Sequence, residues 1–234
     1  MRKIIDRVFT FDGLIVGRVY LLEDDDGLTI IDSGLGLAAR RVLRQLARSG
    51  RSSSDVKRIL ITHGHTDHVG GLAALKEATG AQVIVSAYER SYIEGKKPIL
   101  TPKRDQVPPL ARTMSPGKPI MLTPVSVDHV VTDGDVLTEV LGGLHVVSTP
   151  GHAPGHLAFW QPAMRILFCG DVVMNMIRLR LPFAAYTPDM KQNKRSLKRL
   201  VDLDPEIICF GHGPPFKTNA AERLRSFAAK VGAV

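Results

Sequence analysis

The stretch ITHGHTDHVGG, from Ile61 to Gly71, holds three of the chain's eight histidines and an aspartate. His63 and His65 stand two apart just beyond an apolar run. In extended chain, residues two apart project to the same side, so both imidazoles can reach one point. Asp67 and His68 fall where a helix is expected to begin, turned toward an adjacent point. Imidazole and carboxylate are ligand types for divalent metals, whereas so dense a group without a ligand to share would repel itself once protonated. The chemistry of such a turn is metal binding, and a metal with an open position activates water at neutral pH.

One turn cannot complete two sites, because a catalytic zinc usually takes about three protein ligands. The rest of the chain offers three candidates at the ends of apolar runs: His152 in STPGHAPGH, Asp171 in LFCGDVV and His212 in CFGHGPP. Each sits beside glycine, which lets backbone and ion approach closely.

The order HGHTDH, PGHAPGH, GD, GH resembles the metallo-β-lactamase superfamily, whose pattern is H-x-H-x-D-H followed by His, Asp and His. The match runs from IDSG at Ile31 through His212, with no ligand position substituted. The resemblance implies an α/β fold, an αββα sandwich of two mixed sheets flanked by helices, with a dinuclear site in the cleft between the sheets. Carried over by position, His63, His65 and His152 would hold the first metal and Asp67, His68 and His212 the second, with Asp171 bridging them. The implied cofactors are two divalent ions, zinc foremost; iron and manganese also accept such ligands. The implied chemistry is hydrolysis, a bridging hydroxide attacking a thioester, lactone or similar ester carbonyl. Asp67 would be the catalytic group that orients the nucleophile and later passes a proton to the leaving group. Asp32, at the end of TIID, would orient a histidine, and His156 would hydrogen-bond beside the ligands rather than ligate. His129 and His145, in strand-like runs without ligand neighbours, read as structural.

The doublet TPGHAPGH is closer to the hydroxyacylglutathione hydrolase (glyoxalase) and lactonase branches than to the true β-lactamases. The chain ends soon after His212, with no counterpart of the hydrolase's C-terminal helical domain, which weighs against glutathione specificity. Lactonases place a Tyr three residues after the bridging Asp; Met174 stands there, which weighs against a standard acyl-homoserine lactonase. Tyr186, in PFAAYTP, is a loop tyrosine that could face substrate or solvent. The segment from Val172 to Met190 mixes apolar residues with Arg178 and Arg180, a combination suited to a substrate carboxylate or phosphate beside an apolar wall.

The elements that must position these groups follow from pattern. KIIDRVFTF, LIVGRVYLLED and GLTIIDSG read as antiparallel strands separated by Gly and Asp-Gly. Leu37, Val42, Leu43 and Leu46 lie at helical spacing with arginines opposite, and Gly50 is a helix stop. RILITHG is a strand that breaks into the histidine cluster; DHVGGLAALKEATG is the helix that follows, and QVIVSA is another strand. The Pro-rich segment from Lys97 to Pro124 resists regular structure and reads as a long loop or broken helices. Strands resume with VSVDHVV, LHVVSTP, LAFWQP and RILFCGD. A basic helix around MKQNKRSLKRLVDL, the strand EIICFGHG and the helix AAERLRSFAAKV close the chain. Alternating strands and helices in two similar halves suggest stacked sheets covered by helices.

Composition sets the frame. With 234 residues, 44% of them hydrophobic, the chain can bury one sizeable core and reads as a single domain over residues 1–234. No stretch reaches the roughly 20 apolar residues of a membrane span, and MRKIIDRVFTFDGL lacks a signal peptide's apolar run. A soluble, cytoplasmic enzyme of small-molecule substrates, some of them anionic, is expected. Cys169 and Cys209, each ending an apolar run, read as buried small hydrophobes. The net charge of +8 keeps a phosphodiesterase or nuclease of the same superfamily as an alternative, with KQNKRSLKR from Lys191 to Arg199 the best nucleic-acid candidate and a solvated helix face its plainer reading. A mononuclear iron sulfur dioxygenase is a further alternative.

Overall fold

The computed structural model describes residues 1–14, 16–99 and 118–234. Its first sheet comprises β1 (Arg2–Ile5), β2 (Val8–Thr10), β3 (Tyr20–Asp24), β4 (Gly27–Ile31), β5 (Val56–Leu60), β6 (Gln82–Ser86) and β7 (His129–Val131). These seven strands pair in chain order. Pairing is antiparallel from β1 to β4 and parallel from β4 to β7. KIIDRVFTF is thus two strands rather than one: Arg7 takes φ 61° and folds the segment into a hairpin.

Next come β8 (Val136–Leu137), β9 (Leu144–Ser148), β10 (Leu157–Gln161), β11 (Ile166–Gly170), the short pair β12 (Met174–Asn175) and β13 (Leu179–Arg180), and β14 (Ile207–Phe210). The second sheet has five strands in the order β14-β11-β10-β9-β8, and only its β11–β14 pairing is parallel.

Strand alternation stacks the layers. In β10, Leu157 and Phe159 face the core between the sheets, while Ala158 and Trp160 face the outer helices; in β11 the same division separates Ile166 and Phe168 from Leu167 and Cys169. From the first sheet, Tyr20, Leu22, Ile31, Leu60 and Ile84 enter the shared inner core, and Leu21, Ile30 and Ile59 turn outward. Strands buried on both faces need near-continuous apolar sequence, which is why RILIT, LAFW and RILFC show no polar alternation. α1 (Ala38–Arg48) and α3 (Leu72–Thr79) cover the first sheet; α5 (Met190–Asp202) and α6 (Ala220–Lys230) cover the second. The order is helix, sheet, sheet, helix.

Two expectations about elements change, and one helix is new. Leu37 precedes α1 at its N-cap and is 81% exposed, so Val42 and Leu46 carry the buried face with Leu43 at its edge. The helix expected after His65 is interrupted: α2 (Thr66–Val69) stops before Gly70 and Gly71, where the Ser33–Gly36 loop lies against the chain. A Cβ on Gly71 would meet the Ser33 carbonyl oxygen at 2.5 Å, and the contact is sealed by Ser33 N–H to His68 O at 2.7 Å. α4 (Ala87–Ile93) carries no sequence expectation; Ser86, the last residue of β6, caps it.

Of the Pro-rich segment, residues 100–117 lie outside the described residues; its ends meet as an isolated antiparallel bridge between Ile99 and Ile120. Cys169 and Cys209 are fully buried and unbridged. Among the described residues no helix is long and apolar enough to cross a membrane.

Candidate metal centre

Each candidate ligand follows the C-terminal end of a strand: His63 and His65 after β5, His152 after β9, Asp171 after β11 and His212 after β14. Hydrogen bonds tie these ends together, two of them between the sheets (Leu157 to Thr62 and Tyr20 to Phe210) and one within the second sheet (Gly211 to Gly170). Leu157 N–H donates to Thr62 O at 2.8 Å, Gly211 N–H to Gly170 O at 2.8 Å, and the Tyr20 hydroxyl to Phe210 O at 2.6 Å.

Three groups of ligand atoms converge, each within 4.8 Å: His63, His65 and His152; His63, His68 and Asp171; Asp67, His68 and His212. His65 Nδ1 lies 3.2 Å from His63 Nε2 and 2.9 Å from His152 Nε2. His212 Nε2 lies 3.0 Å from Asp67 Oδ2 and 3.1 Å from Asp171 Oδ2. Asp171 Oδ2 is also 3.5 Å from His152 Nε2, so this carboxylate stands between the three-histidine group and the Asp67 group.

For His63, His68 and His152 the opposite ring nitrogen is held from behind, which determines which nitrogen faces the site. His68 Nδ1 donates to Asp32 Oδ2 at 2.8 Å. His63 Nδ1 donates to the Thr62 hydroxyl at 3.0 Å, and that hydroxyl donates to Asp32 Oδ2 at 2.8 Å. His152 Nδ1 donates to Thr187 Oγ1 at 3.1 Å, and Thr187 donates onward to Phe183 O at 3.0 Å. Both nitrogens of His156 are occupied, Nδ1 by Thr149 Oγ1 at 2.8 Å and Nε2 by the Asp171 N–H at 3.0 Å. His156 therefore positions Asp171 and has no lone pair left for a metal. Thr187→Val removes the hydroxyl while keeping the branched side chain; it is expected to weaken metal binding about tenfold through the freed His152 ring. Competition against a chromophoric chelator reads this directly, and unchanged affinity would show that the Thr187 contact is dispensable.

Burial and neighbouring imidazoles push His63 and His152 well below the usual histidine range, and burial pushes His156 down to about 3. His212 goes the other way: against the pull of burial, Asp171 and Asp67 hold it up to about 9. Burial likewise opposes the shift of His68, but Asp171, Asp32 and Asp67 raise it well above its ordinary value. Neutral imidazoles thus cluster at one end and an imidazole–carboxylate network at the other. His68 Nε2 and Asp171 Oδ1 are buried without a hydrogen-bond partner and lie 3.5 Å apart. Orphaned polar atoms at this depth are costly. With their inward-facing neighbours they form a donor set that fits divalent ions.

Other expected residues are spread around this centre. Tyr186 is half-buried, its ring centroid 6.5 Å from that of His65. The Arg180 guanidinium stacks 4.0 Å over the Phe183 ring, and Arg178 is exposed. Met174 is buried on β12. His129 and His145 lie on β7 and β9 outside the cluster. In the basic helix α5, Arg199 pairs with Asp133 and Lys198 with Asp202, while Asn193 donates to Val172 O and Ser196 to Pro150 O, buttressing the His152 and Asp171 loops. Sequence reasoning missed Thr62, Thr149, Thr187 and Glu89. The threonines adjoining STPGH and ITHGH were readable as flanking hydroxyls; Glu89 carried no local signal.

A family model described as the metallo-beta-lactamase superfamily matches residues 12–212. The chain belongs to that superfamily and is a hydrolase of it. It is similar to the "Probable metallo-hydrolase YflN" of Bacillus subtilis (strain 168), 27% identical over 236 residues covering 90% of this chain and 89% of that protein. It is also 33% identical over 155 residues to the hydroxyacylglutathione hydrolase of Rhodobacter capsulatus, covering 66% of this chain and 47% of that protein; the chain thus spans about half that relative's length. Among solved structures, a metallo-beta-lactamase family protein from Thermus thermophilus superposes with a TM-score of 0.73 at 26% identity, over 99% of this chain and 81% of that one.

Proposed function

We propose that the protein is a two-metal hydrolase of thioester, lactone or similar ester carbonyls. The observation that carries this reading is the position of Asp171 between the two ligand groups, with Oδ2 at 3.5 Å from His152 and 3.1 Å from His212. His63, His65 and His152 would hold one ion and Asp67, His68 and His212 the other, with Asp171 shared; zinc suits this ligand set best. When bound, such ions lower the pKa of water toward about 7 and polarise a carbonyl oxygen.

The chain's own residues supply the rest. Asp32, Thr62 and Thr187 fix the imidazoles of His68, His63 and His152 so that their free nitrogens face inward. Asp67 is half-buried at the edge of the cluster, and its carboxylate is held below the usual range: burial opposes this, and His68 and His212 outweigh it. It can orient the attacking water, hold the proton released when water adds to the carbonyl, and return that proton to the leaving group. Tyr186, beside His65, would line the approach of substrate. The similarity to a hydroxyacylglutathione hydrolase supports a thioester, though the acyl carrier need not be glutathione.

Metal quantification on the purified protein, followed by parallel assay of S-acyl thioesters, lactones, phosphodiesters and β-lactams, tests the reading. About two ions per chain and turnover of a thioester or lactone are expected. Cleavage of phosphodiesters alone, weakening with added salt as polymer contacts do, would replace it with the nuclease alternative. One iron per chain with oxidation of a persulfide would replace it with the dioxygenase.

A further inference from the structure

We propose that Glu89 is the positioning residue of the three-histidine end of the site, its carboxylate tying the His63–His65 turn to the His152–His156 turn. The inference rests on the reading that these turns hold a metal. Glu89 lies in the first turn of α4 and is 3% exposed. Its Oε2 accepts the Gly64 N–H at 3.0 Å and its Oε1 accepts the Gly155 N–H at 3.0 Å. Gly64 stands between His63 and His65; Gly155 stands between His152 and His156. One carboxylate therefore spans the two loops, from different sheets, that supply the three imidazoles.

The surroundings have no other evident use for a buried charge. Among the described residues no cation pairs with Glu89; burial pushes its carboxyl up to about 6, and the two amide bonds are all that opposes this. A buried charge without a counter-ion is expensive, and an apolar residue would pack α4 against the sheet at lower cost. What an apolar residue lacks is two acceptors. Two N–H donors arrive from opposite sides, and a carboxylate satisfies both where a carboxamide satisfies one.

Gly64 is shaped to this carboxylate, and Gly155 to the Ser86–Glu89 turn as a whole, where a Cβ would also meet Ser86 Oγ at 2.5 Å and Tyr88 Cβ at 2.6 Å. A Cβ on Gly64 would stand 2.5 Å from Glu89 Oε2, and one on Gly155 would stand 2.7 Å from Oε1. Ser86 completes the clamp: its hydroxyl donates to Gly155 O at 2.7 Å and accepts from the Glu89 N–H at 3.4 Å. The Asp67, His68 and His212 group lies outside this link, so Glu89 acts on one ion and not the other.

The test is titration with Zn(II) against a chromophoric chelator, for the wild type, Glu89→Ala and Glu89→Gln, with circular dichroism reporting the fold. In Glu89→Ala the dissociation constant of one ion is expected to rise at least about tenfold while the other stays put, and Glu89→Gln falls between. In the Asp67→Ala background, which leaves the three-histidine group intact, Glu89→Ala keeps its effect. Gly64→Ala, costly alone, becomes less so when combined with Glu89→Ala because the clashing oxygen is gone. Folded Glu89→Ala protein in which both ions are unchanged, or both weaken alike, overturns the proposal. Should Glu89→Ala fail to fold, wild-type affinity for both ions in Glu89→Gln does the same. Wild-type protein that takes up no Zn(II) refutes the metal reading instead, so the two failures are distinct.

Discussion

Asp171→Ala protein is expected to lose tight binding of the second ion, to hold the first weakly, and to turn over substrate at least about 100-fold more slowly. Residues that merely orient a ligand typically contribute about 10–100-fold to metal affinity or activity, and Asp171 stands among the ligand atoms themselves. Its Oδ2 faces His212 and His152, and its Oδ1 is buried without a hydrogen-bond partner beside His68 Nε2. Alanine removes both oxygens and with them the negative charge that His68 and His212 face. Asp171→Asn keeps the shape and one neutral acceptor and should fall between, which separates loss of charge from loss of packing. Metal content by elemental analysis, measured beside turnover, decides the matter. An Asp171→Ala protein with two ions and wild-type turnover would remove the basis of the dinuclear reading.

Asp32→Asn should lower metal affinity by about 100-fold, at the upper end for an orienting residue. Asp32 is 2% exposed and sits at φ 60°, a region asparagine tolerates, so the backbone can stay as it is. The damage is chemical. Three donors converge on the carboxylate: the Thr62 N–H at 2.8 Å, the Thr62 hydroxyl at 2.8 Å and His68 Nδ1 at 2.8 Å. An asparagine has one acceptor oxygen and an NH2 group. If the NH2 meets His68, the ring must take the other tautomer and place its proton on Nε2, the nitrogen that faces the site. If it meets Thr62, a buried donor loses its acceptor at about 1–3 kcal/mol. Chelator competition reads the first outcome and urea unfolding the second; wild-type values in both would show that Asp32 is only a turn residue. Asp32→Ala should be worse, adding about 1–2 kcal/mol for a non-glycine residue without a local hydrogen bond in the left-handed region.

The candidate ligands were legible because metal sites of this kind load chemistry onto strand ends, where sequence shows an apolar run, a glycine and a donor within a few residues. ITHGHTDH, LFCGD and CFGHG all have that form. The superfamily and layered fold followed from the order of those motifs, and the Arg-rich helix α1 from its 3.6-residue spacing. What could not be read depends on contacts remote in sequence. The break between α2 and α3 is imposed by a loop some 35 residues earlier, whose Ser33 bonds to His68. The hairpin inside KIIDRVFTF turns on a single positive φ at Arg7, a residue type that does not advertise a turn. Thr187 and Glu89 meet their partners across 35 and 25 residues, and neither is distinguished locally from any surface threonine or glutamate. The loop from Val172 to Met190 was harder still: its Arg180 stacks on Phe183 three residues further on, a contact that composition alone does not announce.

The first sheet contributes His63, His65, Asp67 and His68, and the second contributes His152, Asp171 and His212. Ions held between them would act as rivets through the seam of a laminate, joining two plies already attached by the apolar glue of the inner core and by hydrogen bonds at the strand ends. Binding restricted to the folded form adds about 2.7 kcal/mol when free metal exceeds its dissociation constant a hundredfold. The plies therefore need not be bonded permanently by side-chain packing alone. Were ions bound there, their loss would remove that share of the stability together with turnover.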